Sequence, residues 1–154
     1  MTLIDGTVQT VIDSKNQMNF KVLGVNNMVK VNGEEIEWDR APNFVNNIQR
    51  KILWKDEETG AFFAIYRAPK GNYSKEQVPH SHPHANQFRF NISGEMELPN
   101  GIVRSFSEDD YGFNYCPKEE EHGAAPKGIK VVKDWIYLHY FDGPDDWDDQ
   151  EGEE

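Results

Sequence analysis

The chain has 154 residues, a formal charge of −11 and one cysteine, Cys116. That length predicts one domain with a real core, and no apolar run approaches the length of a membrane span. Asp5-Gly6 interrupts the only stretch resembling a signal-peptide core. A lone cysteine excludes an internal disulfide framework, and no basic footprint suits nucleic acid, so composition predicts a cytoplasmic protein that binds neither nucleic acid nor membrane.

The charge is unevenly placed. Residues 142–154, DGPDDWDDQEGEE, hold eight acids and no base, while the remaining body has 19 acids against 16 bases. Like charges at that density repel and bury little. This stretch is expected to be a solvated, disordered tail whose residues 145–154 are dispensable; a partner-binding tail is the alternative.

In chain order, Thr7–Ile12 reads as a short strand and Asn19–Val31 as strand–turn–strand, broken by Gly24 and Asn26-Asn27. Asn32-Gly33 signals a turn, and Pro42 opposes a strand in the polar stretch around Ile36 and Trp38. Residues 1–47 are therefore assigned to N-terminal strands and an arm packing on the rest of the chain. Gln49–Lys55 and Ala61–Ala68 form a hairpin across Asp56–Gly60. Glu95–Leu98 and Ile102–Phe106 form another across Pro99-Asn100-Gly101. Phe113–Cys116 stops at Pro117, and the runs Ile129–Val132 and Trp135–Phe141 come after it. No segment sustains a 3.6-residue apolar period, so the fold class is all-β, an antiparallel sandwich or barrel.

Between the two hairpins lies Val78-Pro79-His80-Ser81-His82-Pro83-His84-Ala85-Asn86-Gln87, running on through Phe88-Arg89-Phe90-Asn91-Ile92-Ser93 to Gly94. Residues two apart on a strand point to one face, roughly 6.6 Å apart, so His80 and His82 can aim at one point. Imidazole suits Zn, Cu, Fe and Ni, which makes the pair half of a metal site. His84 reads as an exposed loop histidine. With Gln87 turned inward, Arg89, Asn91 and Ser93 also face in, and Phe88, Phe90 and Ile92 face out. An inward Arg89 offers two-point recognition of a carboxylate or phosphate; the opposite phase leaves it on the surface. His139 is either a proton shuttle in the cavity or a satisfied core histidine. Cys116 reads as a small buried apolar residue, with a reactive thiol as the alternative.

His80-x-His82, four residues, Gln87, six residues and Gly94 are followed by Gly112, four residues, Pro117, four residues and His122-Gly123. This pattern resembles the two motifs of the cupin superfamily, G-x5-H-x-H-x(3,4)-E-x6-G and G-x5-P-x-G-x2-H-x3-N, over roughly residues 48–141. The second motif lacks its inner glycine and final asparagine. The resemblance implies a single-domain cupin β-barrel over 48–141. It also implies one divalent ion (Mn, Fe, Zn or Ni) held by His80, His82, Gln87 and His122. Gln87 stands where the family usually has glutamate, which keeps an oxygen donor and removes a negative charge.

The resulting expectation is a metal-dependent enzyme acting on a small, possibly anionic carbonyl or hydroxy/keto acid by Lewis-acid isomerase or lyase chemistry. Arg89 and His139 are the candidate catalytic residues. A three-histidine non-haem iron dioxygenase and a non-catalytic sensing module are the alternatives. Pairing through the Phe88, Phe90, Ile92 face predicts a homodimer.

Overall fold

The computed structural model describes residues 31–44, 47–73, 80–107, 112–123 and 128–146, and the backbone of three further strands. The chain divides into two compact units, Met1–Glu35 and Ile36–Glu154. The first contains an antiparallel hairpin of β1 (Gln9–Ile12) and β2 (Met18–Lys21) and a short 3-10 turn, Gly33–Glu35. Residues 22–30, where the second half of the strand–turn–strand was expected, lie outside the described residues, as does most of the N-terminal arm.

The second unit is an antiparallel β-barrel. Its strands are β3 (Asp39–Arg40), β4 (Gln49–Lys55), β5 (Phe62–Ala68), β6 (Gly71–Tyr73), β7 (His80–Ser81), β8 (Gln87–Glu97), β9 (Val103–Phe106), β10 (Phe113–Cys116), β11 (Ile129–Phe141) and β12 (Asp148–Asp149). One sheet runs β10-β8-β11-β5-β4-β3, with β6 on β11 and β9 on β8; β12 pairs separately with β7. Among the described residues there is no α-helix, and no helix is long and apolar enough to cross a membrane. This unit begins at Ile36. Ile36 and Ala41 are buried, and β3 joins the edge of β4.

Alternation decides which side chains meet inside. On β5, Phe62, Ala64, Tyr66 and Ala68 are buried while Phe63 is exposed. Tyr137, His139 and Phe141 of β11 are buried in the same phase. The core stacks Phe62 on Phe141, ring centroids 5.0 Å apart, and Tyr66 on Tyr137 at 5.4 Å. On the outer face the register lines up Tyr115, Phe88, Tyr140, Phe63 and Trp54 across five strands.

The runs expected at 129–132 and 135–141 are one strand, because register shifts between Val131 and Tyr137 let β11 bend without ending. Gly94 sits opposite that bend with φ 131°, and a Cβ there would lie 2.6 Å from the Cα of Trp135. The motif's closing glycine is therefore a close strand approach that no side chain fits.

Candidate metal centre

His80 lies on β7, and His82 comes directly after that strand. The backbone of His80 exchanges hydrogen bonds with that of His122, N to O at 3.0 and 2.9 Å. This bridge brings the two halves of the motif together. The three imidazoles cluster with ring centroids 4.5 Å apart for His80–His122, 5.0 Å for His82–His122 and 5.1 Å for His80–His82. One nitrogen from each lies within 4.8 Å of the others, a group that can hold a metal ion.

The donors suit a divalent cation. His122 Nδ1 lies 3.1 Å from the carbonyl oxygen of Glu120, so it carries the proton; the buried Nε2 has no hydrogen-bond partner among the described residues. Burial lowers the His122 pKa below the ordinary imidazole value against the raising effect of the Glu120 carbonyl, with His82 and Arg89 adding to the depression. Neutral imidazole is the form that ligates metals. His82 Nδ1 lies 3.2 Å from Asp145 Oδ1, which sets a carboxylate beside the imidazole.

Of the remaining candidates, Gln87, Arg89, Cys116 and His139 line the same cavity, and His84 does not. Gln87 opens β8, in register with Cys116 on one side and Phe141 on the other, and lines the same cavity as the three histidines. Arg89, two residues on, also lines it. Its Nη2 donates to Asn114 Oδ1 at 3.2 Å, and its guanidinium lies 5.3 Å from the Trp135 ring. Asn91 is an internal bracket: its amide donates to the Gly112 carbonyl at 3.0 Å and accepts from Trp135 Nε1 at 3.0 Å. His84 is exposed in the loop, 3.3 Å from Asp146. The Cys116 sulfur lies 2.9 Å from His122 Nδ1 on the cavity wall; burial, reinforced by Glu120, pushes its thiol pKa up.

His139 is buried on the cavity wall among the rings of Tyr66, Tyr137 and Phe141, at 4.8, 4.9 and 5.4 Å. Neither ring nitrogen has a hydrogen-bond partner among the described residues. Burial holds its pKa well below the ordinary value, and Arg89, His82 and His122 push the same way.

Asp145 is the residue that sequence reasoning missed. Composition places it in a solvated tail, yet its carboxylate borders the cavity, against His82 and 3.8 Å from Arg50 Nη1. Its neighbours depart from that expectation too. Asp142 accepts from the Asn86 backbone and side-chain amides at 2.7 Å each, and β12 pairs with β7. The acids are not simply repelling one another, because histidine, arginine and amide donors meet them. Asp142-Gly143-Pro144 was the available signal: a turn there sends the chain back. A Cβ on Gly143 would collide with the His84 carbonyl oxygen.

The cavity measures about 440 Å³, with Tyr66, Met96, Ile129, Trp135, Tyr137 and Phe141 among its apolar walls. The Arg89 guanidinium, four imidazoles and the paired Asp145 carboxylate share a largely aromatic chamber.

No family model matches the sequence, and no curated protein does. Solved structures match in fold. An acetylacetone dioxygenase from Acinetobacter johnsonii is similar with a TM-score of 0.51 and 20% identity, covering 86% of this chain and 85% of that one. A predicted oxalate decarboxylase from Thermotoga maritima is similar at 0.52 and 19%, covering 73% and 97%. An RmlC-like cupin protein from Ralstonia eutropha is similar at 0.51 and 17%, covering 76% and 69%. Together with the all-antiparallel barrel, these likenesses show that the chain has the cupin fold.

Proposed function

We propose that the chain is a metal-dependent enzyme in which His80, His82 and His122 hold one divalent ion, with Gln87 as a further oxygen ligand. The observation that carries this reading is the convergence of three histidine nitrogens within 4.8 Å, two of the rings fully buried. Such an ion supplies Lewis-acid polarisation of a carbonyl or hydroxyl oxygen. The substrate is a small carbonyl compound or hydroxy/keto acid, and the reaction an isomerisation or elimination beside that oxygen. Arg89 lends the chamber a fixed positive charge, which favours an anionic substrate. A neutral Gln87 leaves that charge undiminished where a glutamate would oppose it.

A non-haem iron dioxygenase is the second reading. It is favoured by one observation: the described donor group contains three histidines and no carboxylate.

Elemental analysis of the purified protein, followed by a substrate screen with and without oxygen, tests both. About one divalent ion per chain is expected. Turnover with Zn or Mn under nitrogen supports the Lewis acid, and oxygen uptake with Fe(II) supports the dioxygenase. Gln87→Glu is expected to tighten metal binding while lowering turnover of an anionic substrate. Unchanged values for both would remove Gln87 from the ligand set.

A further inference from the structure

The cationic and imidazole side chains of the cavity form two sets. One is the histidine triad. The other is Arg89 and His139, which are direct cross-strand partners in the β8–β11 ladder. Directly opposed residues on one sheet face carry neighbouring side chains, and both of these line the cavity. His139 does not belong to the group of mutually close metal-ligand atoms. Its relative exposure is 3%, and neither ring nitrogen has a hydrogen-bond partner among the described residues. A buried polar group in that condition lacks an interaction that native interiors nearly always supply.

The surroundings indicate which chemistry these donors suit. The neighbour of His139 along the ladder is a guanidinium. The rings packed on it are Tyr66, Tyr137 and Phe141, with Trp135 under Arg89. Asp145, the carboxylate on the cavity lining, is engaged by Arg50 and His82. A neutral imidazole has one N–H to donate and a guanidinium five, one of which Arg89 gives to Asn114. Side by side they present donors and a positive charge to a group with two acceptor oxygens, while the walls accept an apolar body.

We propose that Arg89 and His139 form a carboxylate-binding pair, separate from the histidine triad, that takes a small monocarboxylate with an aryl or branched-alkyl body. This deepens the proposed function by naming the substrate class, and relies on it only for the reaction; the pair itself requires no metal. The guanidinium neutralises and orients the carboxylate, the imidazole N–H binds one of its oxygens, and the rings cover the remainder.

Benzoate is the probe and benzyl alcohol its uncharged counterpart. Calorimetric titrations are made on chelator-treated protein and on the same protein after Zn(II) loading, with Zn(II) uptake measured in parallel. Wild-type protein in both states is expected to prefer benzoate by about tenfold or more, as a charge-assisted contact implies. The His139 ring resonances are expected to move on benzoate addition. Arg89→Gln and His139→Gln should each remove most of that preference, weakening benzoate far more than benzyl alcohol. Equal binding of the two probes by wild-type protein, or a His139 signal that stays still, overturns the pair without reliance on any variant. Zn(II) uptake without benzoate preference sinks the pair and leaves the metal reading. Benzoate preference without Zn(II) uptake does the reverse.

Discussion

On one side of the cavity, the histidines hang on very short pairings. β7 and β12 are two residues long, and His122 joins through a single bridge to His80. Arg89 and His139 sit instead inside β8 and β11, strands of 11 and 13 residues paired over most of their length. A long ladder positions its side chains by register alone. Short strands cannot, so the histidine side borrows support from the chain beyond β11, through Asp142 on Asn86, Asp145 on His82 and β12 on β7. The two sets of residues share one chamber and depend on different parts of the chain.

That dependence supplies the largest expected effect. Removing residues 142–154 should strip support from the histidines and leave the β8–β11 ladder intact. Metal affinity should fall by at least about 10–100-fold, the usual cost of losing a ligand's supporting partner. The melting midpoint should also drop, by about 2–4 °C for each kcal/mol lost. Asp145→Asn sharpens the point, since it keeps the side-chain shape while removing the charge beside His82. It should weaken metal binding with little change in midpoint. Unchanged metal retention in the truncated chain, measured by elemental analysis after dialysis, would show that the short strands hold the histidines unaided.

The same comparison explains what could be read from the sequence. The convergence of His80, His82 and His122 was legible because chain spacing encodes it, as were the Gln49–Lys55 and Phe113–Cys116 strands, each closed by turn residues. The inward placement of Arg89 came from two-residue alternation once Gln87 was taken as inward. Its pairing with His139 was not legible, because register between strands 50 residues apart is set by tertiary packing. Asp145 was hidden for a different reason. In composition it is one acid among eight, and only a folded partner distinguishes it.

A smaller effect concerns acid. The unfolded chain titrates His139 near the ordinary value of about 6.5. The folded chain holds its pKa well below that, chiefly through burial and then through Arg89, His82 and His122. As pH falls through about 6.5, the unfolded state takes up a proton that the folded state refuses, and stability declines by up to about 1.4 kcal/mol per pH unit for this group. Metal-stripped protein should therefore lose denaturation midpoint steadily between pH 6.5 and the folded pKa, with His122 contributing in the same direction. His139→Gln should make the slope shallower by about one proton. An equal slope in that variant would mean that His139 protonates without cost inside the barrel.

The smallest effect belongs to His84, where side chain and backbone should part company. Its ring is 64% exposed and pairs at 3.3 Å with an Asp146 side chain that is 61% exposed. Exposed pairs of this kind contribute about 0–1 kcal/mol and are screened by salt. His84→Ala should therefore leave metal content unchanged and stability within about 0.5 kcal/mol. The carbonyl of the same residue is another matter, because Gly143 passes so close to it that any Cβ would collide. Gly143→Ala should lift the returning segment off the loop and weaken metal binding in the same direction as truncation. Melting curves and metal retention on the two variants separate these contributions. A metal loss in His84→Ala as large as in Gly143→Ala would place the ring, not the chain path, in the support of the histidines.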